Sequence, residues 1–150
     1  MEIKKVTKEE RVKARELRKQ SRPKSKLQSK KDMPNSTYWR EKADELIMIG
    51  GRGLPCAVCK NTYATCYHHI IEKSRSKALR YDMMNLIPLC QNHHKFSDVL
   101  APHSFKSIAV KRFWEWLEIN HPDKFHYCKE NEHLKCRFTY KDKFLELSNK

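Results

Sequence analysis

The sequence predicts an α+β protein in which a small core is flanked by helices and preceded by a basic N-terminal arm. Cysteine and histidine pairs cluster between residues 56 and 94, short β-like runs lie among them, and helical periodicity borders them on both sides. Charged residues make up 33% of the 150 residues and apolar ones 39%, so the core is thin for this length. A core of this kind commonly needs an additional cross-link, either a disulfide or a bound metal ion, to be stable.

Residues 1–36 form the predicted basic arm. They carry 13 Lys or Arg against 5 Asp or Glu and few apolar side chains, so this segment cannot bury enough surface to fold alone. Helix propensity is good from Lys8 to Gln20 and breaks at Ser21-Arg22-Pro23. We therefore expect the arm to be partly helical or disordered and to contact phosphates without reading sequence.

Residues 37–121 are predicted to form the main domain, with its core at 52–98, and residues 122–150 a helical, basic extension. Two β-like runs are expected in the core, at Tyr63 to Ile71 and Leu86 to Leu89. One flanking helix is expected from Ser36 to Ile49, ended by Gly50-Gly51. The second is expected from Ser104 to Asn120, with the apolar residues Phe105, Ile108, Ala109, Phe113, Trp116 and Leu117.

The formal net charge of +14 favours a polyanionic partner, and nucleic acid more than an anionic membrane. No apolar run reaches the length of a membrane span, and the first residues lack the apolar stretch of a secretory signal. We therefore expect a cytoplasmic protein with reduced thiols. Six cysteines in that compartment indicate metal binding rather than disulfides.

Two half-sites with metal-ligand spacing predict a structural zinc site. Cys56-Ala57-Val58-Cys59 supplies two thiolates from one tight turn, and Cys90-Gln91-Asn92-His93 supplies a thiolate and an imidazole at the same spacing. Four protein ligands of these types suit Zn²⁺ and leave no open position. Cys66 is a possible competing ligand, while Cys128, His133 and Cys136 are interpreted as ordinary residues in preference to a second metal site.

Several histidines between and beside these half-sites suggest a second centre. His68 and His69 are adjacent on a predicted strand, so their side chains point to opposite faces. His94 follows the expected zinc ligand directly, and successive helical residues lie about 100° apart, which lets His94 face away from the zinc. Asp98 is expected one helical turn beyond His94, on the same face.

This His-His, Asn, His pattern, interleaved with the two half-sites, resembles the HNH (ββα-metal) endonucleases that carry an added zinc. The resemblance covers about a third of the chain, residues 52–98. It implies that His69 is the general base and that His68 and His94 hold a catalytic divalent cation, Mg²⁺ or Mn²⁺. It also implies that Asn85 orients His69 through hydrogen bonds that fix the hairpin, and that Asp98 is a third ligand.

The resemblance implies hydrolysis of DNA phosphodiester bonds to a 5′-phosphate and a 3′-hydroxyl. An imidazole titrates near neutrality and suits proton transfer from water, and the cation neutralises developing charge. Four basic residues between the expected strands are candidate phosphate contacts. They are Lys73, Arg75, Lys77 and Arg80.

Two other functions remain open from the sequence: a zinc-dependent DNA-binding module without activity, and an RNA nuclease or toxin nuclease on the same core. The layout is also similar, more weakly, to phage-encoded HNH recombination nucleases of the NinG/Rap type. That similarity would imply branched DNA as a substrate and the cytoplasm of a bacterial host. Cleavage specificity and oligomeric state are left open.

Overall fold

The computed structural model describes residues 9, 13, 15–17 and 26–149. The chain separates into two units, residues 1–33 and 34–150. Among the described residues of the first unit is helix α1, Lys26–Asp32. Most of the predicted helix from Lys8 to Gln20, and its predicted break at residues 21–23, lie outside the described residues.

The described part of the second unit combines four α-helices with a two-stranded sheet. Two short turns of other helix types flank the second strand: a 3-10 turn at Met83–Asn85 and a π-helical turn at Asn92–Phe96. In chain order, the regular elements are α2 Thr37–Gly51, β1 Cys66–His69, β2 Leu86–Leu89, α3 Ser107–Asn120, α4 Pro122–Asn131 and α5 Tyr140–Ser148. None of the described helices combines the length and apolar content that a membrane span requires.

Strands β1 and β2 pair antiparallel, with His68 opposite Ile87 and His69 opposite Leu86. The second predicted β-run coincides with β2, whereas only the middle of the first becomes β1. The same register continues one residue beyond β1, since Ile70 N–H donates to the carbonyl of Asn85 at 2.9 Å. The two-stranded sheet therefore holds the adjacent histidines His68 and His69 at the end of β1.

The main apolar core lies where this hairpin meets α3 and α4. Phe113 and Leu117 are fully buried on α3, at positions four residues apart that share a helix face. Phe105, predicted to lie on the buried face of this helix, is instead 98% exposed because the helix begins only at Ser107. The other buried members of this core are Cys56, Ile70, Ile71, Leu79, Ile87, Leu89, Cys90 and Cys128.

A second apolar cluster joins α2 to the C-terminal segment. Ala43 and Ile47, one turn apart on α2, are buried. The rings of Trp39 and Phe144 lie 5.4 Å apart, which brings α5 against α2. Helix α2, which the sequence predicted only as a flanking helix, therefore connects the end of the described chain with the hairpin.

Gly51 is the point at which α2 meets β1. A Cβ atom added to Gly51 would lie 2.6 Å from the backbone nitrogen of Tyr67, closer than real Cβ contacts allow. A Cβ atom added to the preceding residue, Gly50, would come no nearer than 3.9 Å to the Tyr67 ring. Only Gly51 is therefore required by this approach of helix to strand.

This pair of glycines gives a matched test of the packing. We expect Gly51→Ala to lower the free energy of unfolding by about 1–3 kcal/mol, because the strand backbone must move away from the helix. Gly50→Ala should leave it unchanged or raise it by up to about 1 kcal/mol, since alanine favours a helix. Urea denaturation of both variants measures this difference; equal effects would contradict the close approach.

Candidate metal centre and active site

The backbone around Cys56 and Cys59 forms a tight turn that directs both thiols to one side. Cys56 N–H donates to the Thr62 carbonyl at 2.8 Å, and Lys60 N–H donates to the Cys56 carbonyl at 2.9 Å. Lys60 itself has a φ of 57°, so the chain reverses within this turn. Ala57 N–H donates to the Pro88 carbonyl at 2.9 Å and thereby attaches the turn to β2.

Cys90 and His93 complete a four-residue cluster from the other end of the hairpin. Cys90 directly follows β2, and His93 lies in the π-helical turn. The His93 Nδ1 atom lies 3.3 Å from the Cys90 Sγ atom and 3.8 Å from the Cys56 Sγ atom. One ligand atom from each of Cys56, Cys59, Cys90 and His93 lies within 4.8 Å of all the others, so the cluster can hold a metal ion such as Zn²⁺.

The thiols of this cluster differ in their environments. Burial raises the pKa of Cys56. For Cys59 burial acts in the same direction, but hydrogen bonds from Thr62 and from neighbouring thiols outweigh it and lower the pKa. Because thiolates are the metal-binding form, the Cys59 thiol is better prepared to bind a cation than the Cys56 thiol.

A second cluster consists of three imidazoles. His68 comes from β1, His94 from the π-helical turn, and His103 from the loop before α3; their ligand nitrogens lie within 4.8 Å of one another. The three rings have centroid separations between 4.9 and 5.3 Å. His103 reaches this position because its loop folds back, with His103 N–H donating to the His94 carbonyl at 3.2 Å.

The His68 side chain is well suited to ligate a cation. It is 5% exposed, and its Nε2 atom has no hydrogen-bond partner among the described residues. Burial, followed by the charges of His103 and His94, lowers the pKa of His68 well below its usual range. Burial likewise lowers the pKa of His94 to about 4. Both rings are therefore neutral at pH 7, which is the form that binds metals.

Asp98, the expected third ligand, does not lie in this group. Its carboxylate pairs with Lys106 Nζ at 2.6 Å and is largely exposed. The expectation assumed a continuous α-helix after His94, but the chain leaves its π-helical turn at Ser97, which has an extended backbone (φ −66°, ψ 126°). Asp98 therefore turns away, and His103 takes the third place in the cluster.

His69 lies beside this cluster with a defined tautomer. Its Nε2 atom lies 2.8 Å from the Arg80 carbonyl oxygen. Because a carbonyl can only accept, Nε2 carries the hydrogen and Nδ1 is left unprotonated. Burial lowers the pKa of His69 to about 4, in spite of the opposing effect of the Arg80 carbonyl. The neutral ring therefore has one nitrogen able to accept a proton at pH 7.

Asn85 fixes the loop that leaves β1. Its fully buried side chain accepts from Ile71 N–H at 2.6 Å and donates from Nδ2 to the carbonyls of Ile71 and Leu79, each at 3.0 Å. These bonds hold the segment before Arg80, whose carbonyl binds His69. Asn85 and His69 are thus connected through the backbone, with no direct hydrogen bond between their described side chains.

The four basic residues predicted to contact phosphates have different surroundings. Arg80 binds the Asp44 carboxylate with two nitrogens and is only 12% exposed, so its guanidinium is already occupied. Arg75 pairs with Glu132 at 3.1 Å but remains exposed. Lys73 is partly exposed and Lys77 exposed. Among the four, Lys73 and Arg80 line the cleft described next.

The three-imidazole cluster and His69 open into the same cleft, which has a volume of about 850 Å³. Four basic residues contribute to its walls, with one acidic residue, Glu72, so the cleft is predominantly basic. The basic residues are Arg40, Lys73, Arg80 and Lys95. An anionic substrate could therefore contact both centres at once.

The remaining cysteines stand apart from the four-residue cluster. The Cys66 Sγ atom lies 3.6 Å from His94 Nδ1, beside the imidazole cluster. Cys128 is buried on α4, with the Asn85 Oδ1 atom 3.4 Å away, and burial raises its pKa to about 11. Cys136 is exposed. Within residues 26–149, Cys128, His133 and Cys136 do not form a common metal-binding group.

No family model, curated protein or solved structure matches this chain. The functional assignment therefore depends on the two clusters, His69 and the cleft.

The four-residue cluster is tested by a pair of cysteine variants. We expect Cys59→Ser to lose bound zinc on dialysis and to unfold at lower chelator concentration, because one of the four ligands is removed. Cys136→Ser, an exposed cysteine outside the cluster, should keep one zinc per chain. Elemental analysis and far-UV circular dichroism measure the two quantities. Full zinc retention by Cys59→Ser would show that the metal lies elsewhere.

Proposed function

We propose that this protein is a metal-dependent endonuclease of the HNH type, in which β1, β2 and the turn at Asn92–Phe96 act as the ββα core. One observation carries the proposal: His69, whose Nε2 is bonded to the Arg80 carbonyl so that Nδ1 is unprotonated, lines the same cleft as the His68, His94 and His103 cluster. A purely structural metal site has no use for a neighbouring imidazole whose tautomer is fixed.

In this proposal His69 is the general base. Its Nδ1 atom accepts a proton from the attacking water as the water oxygen bonds to phosphorus. The bond from phosphorus to the 3′ oxygen breaks, the leaving oxygen is protonated from solvent, and the products carry a 5′-phosphate and a 3′-hydroxyl. The Arg80 carbonyl holds the other ring nitrogen and stabilises the protonated imidazole that results.

His68, His94 and His103 would hold the catalytic cation, and the buried, unpartnered Nε2 atom of His68 fits that role. When bound, such a cation neutralises negative charge on the scissile phosphate and the leaving oxygen. Three imidazoles without a carboxylate suit Ni²⁺ or Zn²⁺ better than Mg²⁺ or Mn²⁺, the two ions expected from the sequence, which prefer oxygen ligands. We therefore propose an imidazole-binding transition-metal ion at this site, with Mn²⁺ less favoured and Mg²⁺ least favoured.

DNA is the proposed substrate, with the phosphate backbone as the feature recognised. Arg40, Lys73 and Lys95 line the cleft, and the chain as a whole carries a formal charge of +14. These groups would bind phosphates without distinguishing bases, so RNA and branched DNA are compared with duplex DNA in the test below.

The test compares His69→Ala with His126→Ala, an exposed histidine on α4 outside the cleft lining. Without its general base, His69→Ala should cleave roughly 10²- to 10⁴-fold more slowly than wild type. Its zinc content and its affinity for DNA should not change. His126→Ala should match wild type in all three respects.

Cleavage is measured with Mn²⁺, Ni²⁺ and Mg²⁺ on duplex, single-stranded and branched DNA and on RNA. Cleavage of RNA alone would move the assignment to a ribonuclease on the same core. If wild type binds DNA but cuts no nucleic acid with any of these ions, the protein is a zinc-dependent binding module and the nuclease proposal is wrong.

A further inference from the structure

We infer that Asp44, on helix α2, is a positioning residue for His69 and acts through Arg80. This inference deepens the proposed function and rests on it for the role of His69. Asp44 lies outside the segment of the chain that carries the predicted chemistry, and no metal-ligand or catalytic pattern marks it. Its role follows from a chain of contacts.

The first contact is a two-point ion pair. Arg80 Nε donates to Asp44 Oδ1 at 2.9 Å, and Arg80 Nη2 donates to Asp44 Oδ2 at 2.5 Å. The side chains are only 12% and 19% exposed, so solvent screens the pair less than an exposed one. Because the guanidinium is planar, two parallel bonds fix its orientation as well as its position.

The second contact places the same residue against His69. The backbone carbonyl of Arg80 accepts the hydrogen of His69 Nε2 at 2.8 Å. Arg80 therefore receives a bond from His69 on its main chain and is held by Asp44 on its side chain. A shift of this residue would move the carbonyl that defines which nitrogen of His69 is protonated.

The residues on either side of Arg80 are also anchored, and Tyr81 interacts with Asp44 as well. The carbonyl of Leu79 accepts from Asn85, and the hydroxyl of Tyr81 donates to the Arg40 carbonyl of α2 at 3.3 Å. The core thus fixes one side of this short segment and helix α2 fixes the other. On the helix side, the carboxylate of Asp44 provides the ionic contact to Arg80. Arg80 in turn is the residue whose carbonyl binds His69.

Asp44 also lies 4.0 Å from Lys73 Nζ, a longer and more exposed contact than the one to Arg80. In addition, Arg80 Nη1 donates to the Lys73 carbonyl at 3.4 Å. The ion pair therefore connects both ends of the basic loop, which runs from Lys73 to Arg80. Without the carboxylate, the guanidinium is free to leave this position, and the His69 ring can exchange its hydrogen between Nε2 and Nδ1.

The test replaces Asp44 and, as a matched neighbour, Glu45 in the zinc-loaded chain of residues 1–150. Asp44→Asn removes the charge that holds Arg80. Glu45→Gln makes the same change one residue away, where the exposed carboxylate pairs with Lys42 at 2.8 Å. Side-chain ¹⁵N chemical shifts of His69, assigned with His69→Ala and recorded at pH 7.5, report which nitrogen carries the hydrogen.

We expect Asp44→Asn to shift His69 from a single Nε2-protonated form to a mixture of tautomers, while Glu45→Gln keeps the wild-type spectrum. In cleavage assays kcat should fall roughly tenfold to hundredfold in Asp44→Asn, because the base is no longer held in place. KM should stay within about twofold of wild type, since substrate binding is not the function affected.

An Arg80→Gln background separates positioning from general destabilisation. If Asp44 acts through Arg80, adding Asp44→Asn to Arg80→Gln should change neither the tautomer ratio nor kcat any further. An unchanged His69 spectrum in Asp44→Asn would overturn the inference, even if stability fell. If wild type cleaves nothing, the nuclease proposal fails, but the His69 spectrum still decides whether Asp44 positions this ring.

Discussion

The closure of the cluster formed by Cys56, Cys59, Cys90 and His93 is the constraint on which the rest of the structure depends. It joins the chain just before the hairpin to the chain just after it. Strands of four residues each bury too little surface to stay paired alone. A metal ion held by four protein ligands would stabilise this closure by an amount on the order of 10 kcal/mol, as in other small zinc modules.

The imidazole cluster follows from that closure. The antiparallel register places His68 opposite Ile87, three residues before Cys90, and the π-helical turn after Cys90 then brings His94 toward His68. His93 and His94 are neighbours in sequence but belong to different clusters, because their side chains point in different directions from the turn. One short turn thus separates the cluster of three thiols and one imidazole from the cluster of three imidazoles, and of the two clusters the imidazole cluster lines the cleft with His69.

Much of the site could be predicted because its signals are local. The paired spacing of cysteines and histidine, adjacent histidines on a strand and the periodicity of α2 and α3 all lie within single elements. The confirmed part is the grouping of Cys56, Cys59, Cys90 and His93, which could hold a metal ion such as zinc, and a mixed helix and two-stranded architecture. The role of His69 as a base and the identity of the second cation stay predictions.

What the sequence missed depends on contacts between distant segments. His103 comes from a loop without periodicity, and only its return to His94 makes it a ligand candidate. Asp98 was misplaced because a π-helical turn ends where an α-helix would continue. The pairing of Asp44 with Arg80 spans 36 residues, and no spacing rule connects a packing helix with a basic loop.

The coordination of the first zinc ion tests this view of the molecule most directly. X-ray absorption at the zinc edge, on protein loaded with one equivalent of Zn²⁺, distinguishes sulfur from nitrogen ligands. We expect three sulfur atoms at about 2.3 Å and one nitrogen at about 2.0 Å, with the imidazole cluster left for a second cation. A shell made only of nitrogen and oxygen would place the zinc on His68, His94 and His103, and would contradict the separation of a closed structural site from an open catalytic one.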